Sequence, residues 1–544
     1  MRNFIGLLSL TALVGLVGCG GGGGTTPPAT TTVNFSITWP ERSRAITGLS
    51  SALSARFVLA GAKPDGTDLS FIVNRDTSNL AEHTVAYTTP DQARVGTWNM
   101  TVTFFSQATG GGNEVGTAAA QATIASDGSG VPNVAATGRI ASVSVVADQM
   151  IDVGQQISPL VSCRDSGNNV VAVSEGSIFY SEAGGFDNVD IVQGQVRGTN
   201  AGMTMINARV DGITSPNAPL HVFRPLPNAY SLTDLGAFET VSAAHDVNSS
   251  GVVVGESNVG PFPKAFRHDG TMTDLGTLGG DFSRAFGIND NGVITGTAAD
   301  VGIEAKAFRY QNNTMTNLGT LGGTNSSGFD INASGQIVGD AERATGFRFA
   351  AMWINGAITD LDALPGDTKS EARAINDGGQ VVGSSTNPAN VQRAYLWTPS
   401  TPNGTTGTMT NLGALGGIAS SARGINNVGQ VVGQAQNADG QFRAFLWSSG
   451  TMHNLGALGT GTFSVANSLN SKGEIVGSST TVGPDQLRAF VGNRKVGIVN
   501  LNNLVINLGG WTLQQATAIN ENGQIVGVGS VGGVTKAYLL TPVP

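Results

Sequence analysis

Ala422-Arg-Gly-Ile-Asn426-Asn-Val-Gly429-Gln-Val-Val-Gly433 decides the fold of this chain, because close variants of it recur along the last 320 or so residues. The matching asparagines are Asn248, Asn289, Asn332, Asn376, Asn426, Asn470 and Asn520, and successive copies stand 41, 43, 44, 50, 44 and 50 residues apart. A spacing of about 40–50 residues, filled with short strands and glycine turns, predicts a β-propeller with one blade per repeat. Asn opening a four-residue turn that Gly closes is type I turn chemistry, with the Gly left-handed so that a bulged hairpin can form. The seven asparagines therefore read as structural turn residues rather than as ligands for a metal.

Outward from this turn, each copy supplies four strand segments. Strand A is Ser-x-Ala-x-x-Ile-Asn, strand B is Gly-x-Val-Val-Gly, strand C resembles Arg443-Ala-Phe-Leu-Trp447, and strand D resembles Thr271-Met-Thr-Asp-Leu-Gly276. A second hairpin joins C to D through Gly450, Gly356 or Asn313, residues that tolerate positive φ. Large side chains on both faces of strand C suit a strand packed between two neighbouring blades. The array begins out of phase. Tyr230-Ser-Leu-Thr-Asp-Leu-Gly236 is a strand D without its A, B and C, and Lys536-Ala-Tyr-Leu-Leu540 is a strand C without its D. Pairing the two completes a seventh blade and hides the strand edges. The expectation is an all-β chain in which residues 225–544 form a seven-bladed β-propeller.

The segments Ala265-Phe266, Ala307-Phe308, Ala444-Phe445 and Ala489-Phe490, with Thr273-Asp-Leu-Gly-Thr-Leu-Gly-Gly280, Asn317-Leu-Gly-Thr-Leu-Gly-Gly323 and Asn411-Leu-Gly-Ala-Leu-Gly-Gly417, resemble the HAF family of extracellular repeats. The resemblance covers about residues 226–544. It implies an exported, propeller-like repeat protein and brings no catalytic residues. The linker Asp360-Leu-Asp-Ala-Leu-Pro-Gly366 and the strand D near Asn500 depart from the pattern.

At the amino terminus Arg2 precedes a short apolar run, Phe4 to Val17, and Leu16-Val-Gly-Cys19 resembles a bacterial lipobox. On that resemblance residues 1–18 are a lipoprotein signal peptide and Cys19 is the lipidated first residue of the mature chain. Gly20 directly after it resembles lipoproteins sorted to the outer membrane. Residues 19–32, rich in Gly, Thr and Pro, read as a flexible tether. Cys163 is then left without a cysteine partner and reads as a buried strand residue.

Between tether and repeats, residues 33–138 alternate as strands do, for example Val33-Asn-Phe-Ser-Ile-Thr-Trp39 and Thr97-Trp-Asn-Met-Thr-Val-Thr-Phe-Phe105. They resemble an immunoglobulin-like or transthyretin-like β-sandwich. In residues 139–224, Asp152-Val-Gly-Gln155, Gly194-Gln-Val-Arg-Gly-Thr-Asn-Ala-Gly202 and Asn207-Ala-Arg-Val-Asp-Gly212 resemble the bacterial immunoglobulin-like group-two domain, usually a surface spacer or adhesive module. Tyr180-Ser181 stands where such domains often carry Trp-Ser.

A net charge of −9 without a Lys/Arg cluster argues against nucleic acid as a partner, since phosphate neutralisation needs a basic stripe. His83, His221, His245, His268 and His453 form no His-Glu-x-x-His pair, and neither a zinc spacing, a Gly-x-Ser-x-Gly elbow nor a phosphate loop is present. No cofactor is expected. Asn289-Asp-Asn-Gly292 lacks the alternating carboxylates of a calcium loop. A basic residue precedes strand C in six repeats (Lys264, Lys306, Arg393, Arg443, Arg488 and Lys536), with Arg348 displaced by Phe349 in the third. Cross-strand pairing, Lys306 opposite Asn317 and Arg443 opposite Asn454, is the expected use, and a cation ring for an anionic polysaccharide is the rival. The B–C connections, Glu256 to Pro263 and Gln434 to Phe442 among them, read as long variable loops on the face opposite the A–B turns. The leading reading is a lipid-anchored protein of the outer membrane or cell surface whose propeller binds a glycan or protein. Its alternatives are a propeller-based hydrolase or lyase, and a passive envelope scaffold.

Overall fold

The computed structural model describes residues 30–31, 34–39, 54–60, 62–74, 83–88, 93–94, 96–105, 114–124, 142–146, 149–164, 178–183, 188–210 and 212–543, apart from 303 and 483–485. The signal segment, Cys19 and most of the tether lie outside the described residues. The fold is all-β. Among the described residues the helix assigned by name is one 3-10 turn, Leu501–Asn503. The chain divides into two units, one holding residues up to 222 apart from 200–203, and the other holding 200–203 and 223–544.

In the first unit, strands Leu69–Asn74, Ser54–Leu59, Gly96–Phe105 and Glu114–Ile124 make an antiparallel sheet in that order. Phe57, Leu59, Leu69, Met100 and Val102 are buried on it, and Phe57 stacks on Phe71 with centroids 5.1 Å apart. Strand Asn34–Trp39 pairs with His83–Thr88. Farther along, Gln149–Asp152, Ala218–Phe223, Gly202–Val210 and Phe179–Ala183 form a sheet beside two smaller ones. Their shared core contains Val143, Ile151, Ile206, Leu220 and Cys163, which is buried as its sequence context suggested. Tyr180 is also buried there, and its hydroxyl donates to Pro159 O at 2.8 Å.

The second unit contains seven four-stranded antiparallel sheets. Six are built from consecutive strands A to D. The seventh combines A (Thr512–Ile519), B (Ile525–Val531) and C (Val534–Pro542) with Tyr230–Asp234 as D. In that pairing Tyr230 lies opposite Pro542 and Asp234 opposite Tyr538, so the first strand of the repeat array supplies the missing strand.

Packing follows from alternation along each strand. In the fifth sheet Val431 and Phe445 join an apolar cluster shared with the fourth sheet, while Val432, Ala444 and Leu446 join one shared with the sixth. Each sheet is thus apolar on both faces, which is what the Val-Val and Ala-Phe-Leu-Trp runs encode. Full burial of such a Val or Phe contributes about 1.5–3 kcal/mol. Gly433 is required within strand B because the Phe445 ring covers it. A Cβ there would sit 2.1 Å from Ser421 O and 2.9 Å from the Phe445 ring. One apolar cluster occupies each interface between successive sheets. A further one joins Ala518, Val526 and Ala537 of the seventh sheet to Ala244, Val253 and Phe266 of the first.

Polar bonds follow the same cyclic order. Every A–B turn has the anticipated form: in the fifth, Gly429 has φ +79° and donates to Asn426 O at 3.0 Å. The asparagine side chains do more. Each Oδ1 accepts backbone N–H groups within its own turn, as from Gln430 N to Asn426 at 2.9 Å. Each Nδ2 donates to the backbone oxygen of the next repeat's asparagine: Asn248 to Asn289 at 3.3 Å, then to Asn332 at 3.0, Asn376 at 3.2, Asn426 at 3.1, Asn470 at 3.1 and Asn520 at 3.2 Å. Asn520 returns to Asn248 O at 2.9 Å. All seven asparagines are buried, which raises the cost of losing any of these bonds.

The serine that opens strand A makes a second stitch. Ser283 Oγ accepts Ala265 N of the preceding sheet at 2.9 Å and donates to Gly276 O at 2.6 Å. Ser326, Ser370, Ser420 and Ser464 repeat this, and Ser242 does so with Ala537 across the first and seventh sheets. The alanine N–H needs such a partner because strand D has already turned away there, through an Asx turn such as Gly276 N to Asp274 Oδ1 at 2.8 Å.

Two carboxyls on strands A complete the stitching. Asp246 accepts Val247 N and, from the second sheet, Ile288 N, both at 2.8 Å. Asp330 accepts Ile331 N at 2.7 Å and, from the fourth sheet, Ile375 N at 2.8 Å. Both residues are partly exposed as a whole, while protein surrounds their carboxyls. Burial, with the Asp330 charge second, pushes Asp246 up to about 7, and burial pushes Asp330 up to about 6, against the bonds from backbone N–H. A folded-state pKa raised above the unfolded value gives stability at low pH that is lost as pH rises through the folded pKa. The second unit should therefore lose this increment between about pH 4 and pH 7, from the ordinary carboxylate pKa to the raised folded values. Thermal unfolding of Asp246→Asn/Asp330→Asn should show a smaller Tm difference between those two pH values than the parent chain. An unchanged difference would contradict the assignment.

Candidate ligand-binding face

A–B and C–D turns lie on one face of the seven-sheet unit, and B–C and D–A connections on the other. The B–C connections are shorter than the sequence suggests. Strand B of the first sheet runs Val253–Val259 and strand C Phe262–His268, leaving two residues between them. In the fifth sheet Val431–Asn437 and Phe442–Ser448 leave four. Residues expected in loops extend the ladder instead, because they keep their cross-strand partners, as Ser257 does with Lys264.

These short corners carry exposed apolar side chains. Phe262, Phe347 and Val534 project beside their turns, Val301 is 87% exposed and Val482 68%. Between the fourth and fifth sheets the same face opens into a cavity of about 500 Å³, lined by residues including Lys369, Gln392, Ile418, Gln436 and Phe442. The B–C corner of the fourth sheet forms one wall. Asn387 N bonds to Val391 O at 3.1 Å, and Asn390 takes φ +62° to close the turn. Lys369 Nζ, at the start of strand A, donates to Asn390 Oδ1 at 3.1 Å. On the fifth sheet Gln436 Oε1 accepts Ile418 N at 3.2 Å, and its Nε2 donates to Gly440 O at 3.0 Å. Ile418 remains 72% exposed at the rim. Amides and an ammonium beside Ile418 and Phe442 can hydrogen-bond hydroxyl groups while covering an apolar face.

Lys306 and Arg443 are not paired as the sequence suggests. Asn317 lies opposite Phe308 and Asn454 opposite Phe445, two residues short of Lys306 and Arg443. Strand D ends in its Asx turn before it can reach them. The cations turn instead to the approach to strand A. Lys264 Nζ donates to Asp281 O at 2.9 Å, Lys306 to Thr324 O and Glu304, Arg443 to Thr462 O, and Arg393 to Asp367. Arg348, displaced by Phe349, pairs with Asp340 at 2.9 Å. Lys264, Lys306 and Arg443 thereby tie successive sheets together. In the seventh sheet Lys536 Nζ instead lies 4.0 Å from Asp234 Oδ2 on strand D.

Asn248, Asn289, Asn332, Asn376, Asn426, Asn470 and Asn520 are brought together by their turn bonds and by the bonds from each to the next. Cys19 lies outside the described residues. Among the described residues no three His, Cys, Asp or Glu side chains gather as a metal-binding group. Sequence reasoning did not find the cavity or the serine stitch. The serine's recurrence six residues before the asparagine was the available signal. Nothing in one repeat marks the cavity, whose walls come from two.

Residues 344–537 match a family model described as protein of unknown function (DUF3466), a little over a third of the chain. No curated protein matches. Among solved structures, TolB from Acinetobacter baumannii is 12% identical, with 57% of this chain and 94% of that one covered and a TM-score of 0.33. The β-propeller domain of the Trilobed protease from Pyrococcus furiosus is 10% identical, with 70% and 93% covered and a TM-score of 0.22. A puromycin-hydrolyzing peptidase of Mycobacterium tuberculosis is 11% identical, with 60% and 54% covered and a TM-score of 0.32. Superpositions this loose carry no argument about function, and the arrangement of the seven sheets rests on their own pairing and bonds.

Proposed function

We propose that this chain is an exported binding protein. In this reading Cys19 carries the lipid anchor, residues 33–138 and 139–224 are immunoglobulin-like spacers, and residues 225–544 are a closed seven-bladed β-propeller. The face of the B–C and D–A connections binds a glycan at the cell envelope. The observation that carries the reading is the cavity between the fourth and fifth sheets, where Lys369, Gln392 and Gln436 stand beside Ile418 and Phe442. A saccharide presents hydroxyl edges and an apolar ring face, and this lining offers partners for both. The rigid sheets beneath it hold the lining in place without help from the ligand.

The full chain carrying Cys19→Ser, screened on a glycan array, should identify a saccharide partner. Gln392→Ala and Gln436→Ala should each weaken its binding by roughly 2–10-fold, the worth of one hydrogen bond, with Tm unchanged. Unaltered affinity in both folded variants would remove the cavity from the account. The anchor is tested separately. Metabolic labelling with a fatty acid should mark the parent chain and not Cys19→Ser, and persistent labelling would refute lipidation at that residue.

A further inference from the structure

Strand A of every sheet carries a bulge, and the unpaired residue stands three positions before the turn asparagine. On the first three sheets these residues are His245, Phe286 and Phe329. On the next three they are Arg373, Arg423 and Asn467, and the seventh is Thr517. All keep solvent exposure although strand A is the strand that the asparagine bonds draw to the centre, so they line the axis.

These side chains make contacts from sheet to sheet. His245 lies against Phe286 with centroids 5.2 Å apart, and Phe286 against Phe329 at 5.7 Å. Arg373 Cζ lies 4.5 Å over the Phe329 ring. Arg423 Nη1 donates to Asn467 Oδ1 at 3.3 Å, Asn467 Nδ2 to Ala516 O at 2.8 Å, and Thr517 Oγ1 to Ala244 O at 2.9 Å. One step is open. Among the described residues, no side chain hydrogen-bonds to both Arg373 and Arg423.

Two guanidiniums there share one nearby carboxylate, and that carboxylate is committed. Glu371 Oε2 takes Arg373 Nη2 at 2.7 Å, and its Oε1 accepts Ser384 Oγ at 3.0 Å. Among the described residues no carboxylate lies at ion-pair distance from Arg423. Its surroundings and the Arg373 charge pull its pKa down, the mark of a cation with too little compensation. The axial carboxyls Asp246 and Asp330 are occupied on both oxygens by backbone N–H groups. On the first sheet Glu256 is paired with Arg284 at 2.5 Å and with His245 at 3.6 Å.

We propose that the gap between Arg373 and Arg423 binds the carboxylate of an acidic saccharide, a uronic acid unit. A guanidinium presents its donors in a fork that matches a carboxylate. Asn467 beside Arg423 can bond a sugar hydroxyl, and the partly exposed Phe286 and Phe329, the latter beneath the Arg373 guanidinium, offer an apolar wall to the pyranose ring. The anion bridges the charges of Arg373 and Arg423, which no side chain among the described residues joins. This site is distinct from the cavity between the fourth and fifth sheets and does not depend on it.

The test is calorimetric titration of the full chain carrying Cys19→Ser with trigalacturonate, with neutral galactotriose for comparison. Trigalacturonate should bind about 10-fold or more tighter than the neutral sugar. Arg423→Gln should abolish that preference at unchanged Tm, and the cavity variant Gln436→Ala should retain it. Equal affinity for the two sugars, or a preference that survives in folded Arg423→Gln, would overturn the proposal. So would displacement of trigalacturonate by acetate at equal carboxylate concentration, because the site would then read only charge. If Arg423→Gln does not fold, Arg423→Lys decides. It keeps the charge without the fork and should lose several-fold in affinity, and undiminished affinity counts against the site.

Discussion

The side-chain amide of an asparagine, donated to the backbone oxygen of the corresponding asparagine one repeat on, is the bond on which the seven-sheet unit depends. Seven such bonds run in series, and the last, Asn520 Nδ2 to Asn248 O, returns to the first. A cyclic series has no terminal member, so each sheet is held on both sides by the same contact. The amide is well matched to this task. Its oxygen satisfies the orphan N–H groups of its own tight turn, and its nitrogen carries two donors. In five repeats the second donor meets a Gln or Glu four residues on, as Asn426 meets Gln430 at 2.8 Å. An aspartate would keep the first role and lose the second.

Other features of the repeat serve this spacing. Strands A approach closely, so Ser, Ala or Gly fill many of their positions facing a neighbour, with one Val, Ile or Leu placed directly before the asparagine. Farther out, Val, Phe and Trp alternate between the two faces of each sheet and fill the widening gaps. The serine stitch ties strand C of one sheet to strand A of the next at the radius where the ladder to strand D has ended. With the interfaces fixed in this way, the bulged residue of strand A is free to vary: His, Phe, Arg, Asn and Thr all occupy it. The corner of strands B and C varies as well. Recognition chemistry therefore sits on the axis and at the corners, the two places the interfaces leave unconstrained.

Much of this was legible in the sequence because it is local. Asn-x-x-Gly specifies its turn within four residues, and the left-handed glycines Gly251, Gly292, Gly335, Gly379, Gly429, Gly473 and Gly523 match it. The displaced strand D at Tyr230 followed from counting segments, and it pairs with the carboxy-terminal strand. What the sequence concealed is lateral. Asn426 looks the same whether its amide faces water or Asn470 O, because the partner lies 44 residues away. The use of Lys306 and Arg443 was misread because cross-strand pairing was extended past the Asx turn that ends strand D. The bulge that places Arg373 and Arg423 on the axis adds one residue to a strand that otherwise reads as regular alternation.

The most direct test compares the closing bond with one inside the array. Asn520→Asp and Asn426→Asp remove equivalent donors, each bonded to a Gln four residues on and to the next asparagine's backbone oxygen, one at the junction of the seventh sheet with the first and the other between the fifth and sixth. Thermal unfolding of the two full-length variants should show Tm losses of similar size in one cooperative transition of the second unit, because a cyclic series has no weaker end. A clearly smaller loss for Asn520→Asp, or a separate early transition in Asn426→Asp alone, would mean that the seven sheets form an open stack, and would contradict the account.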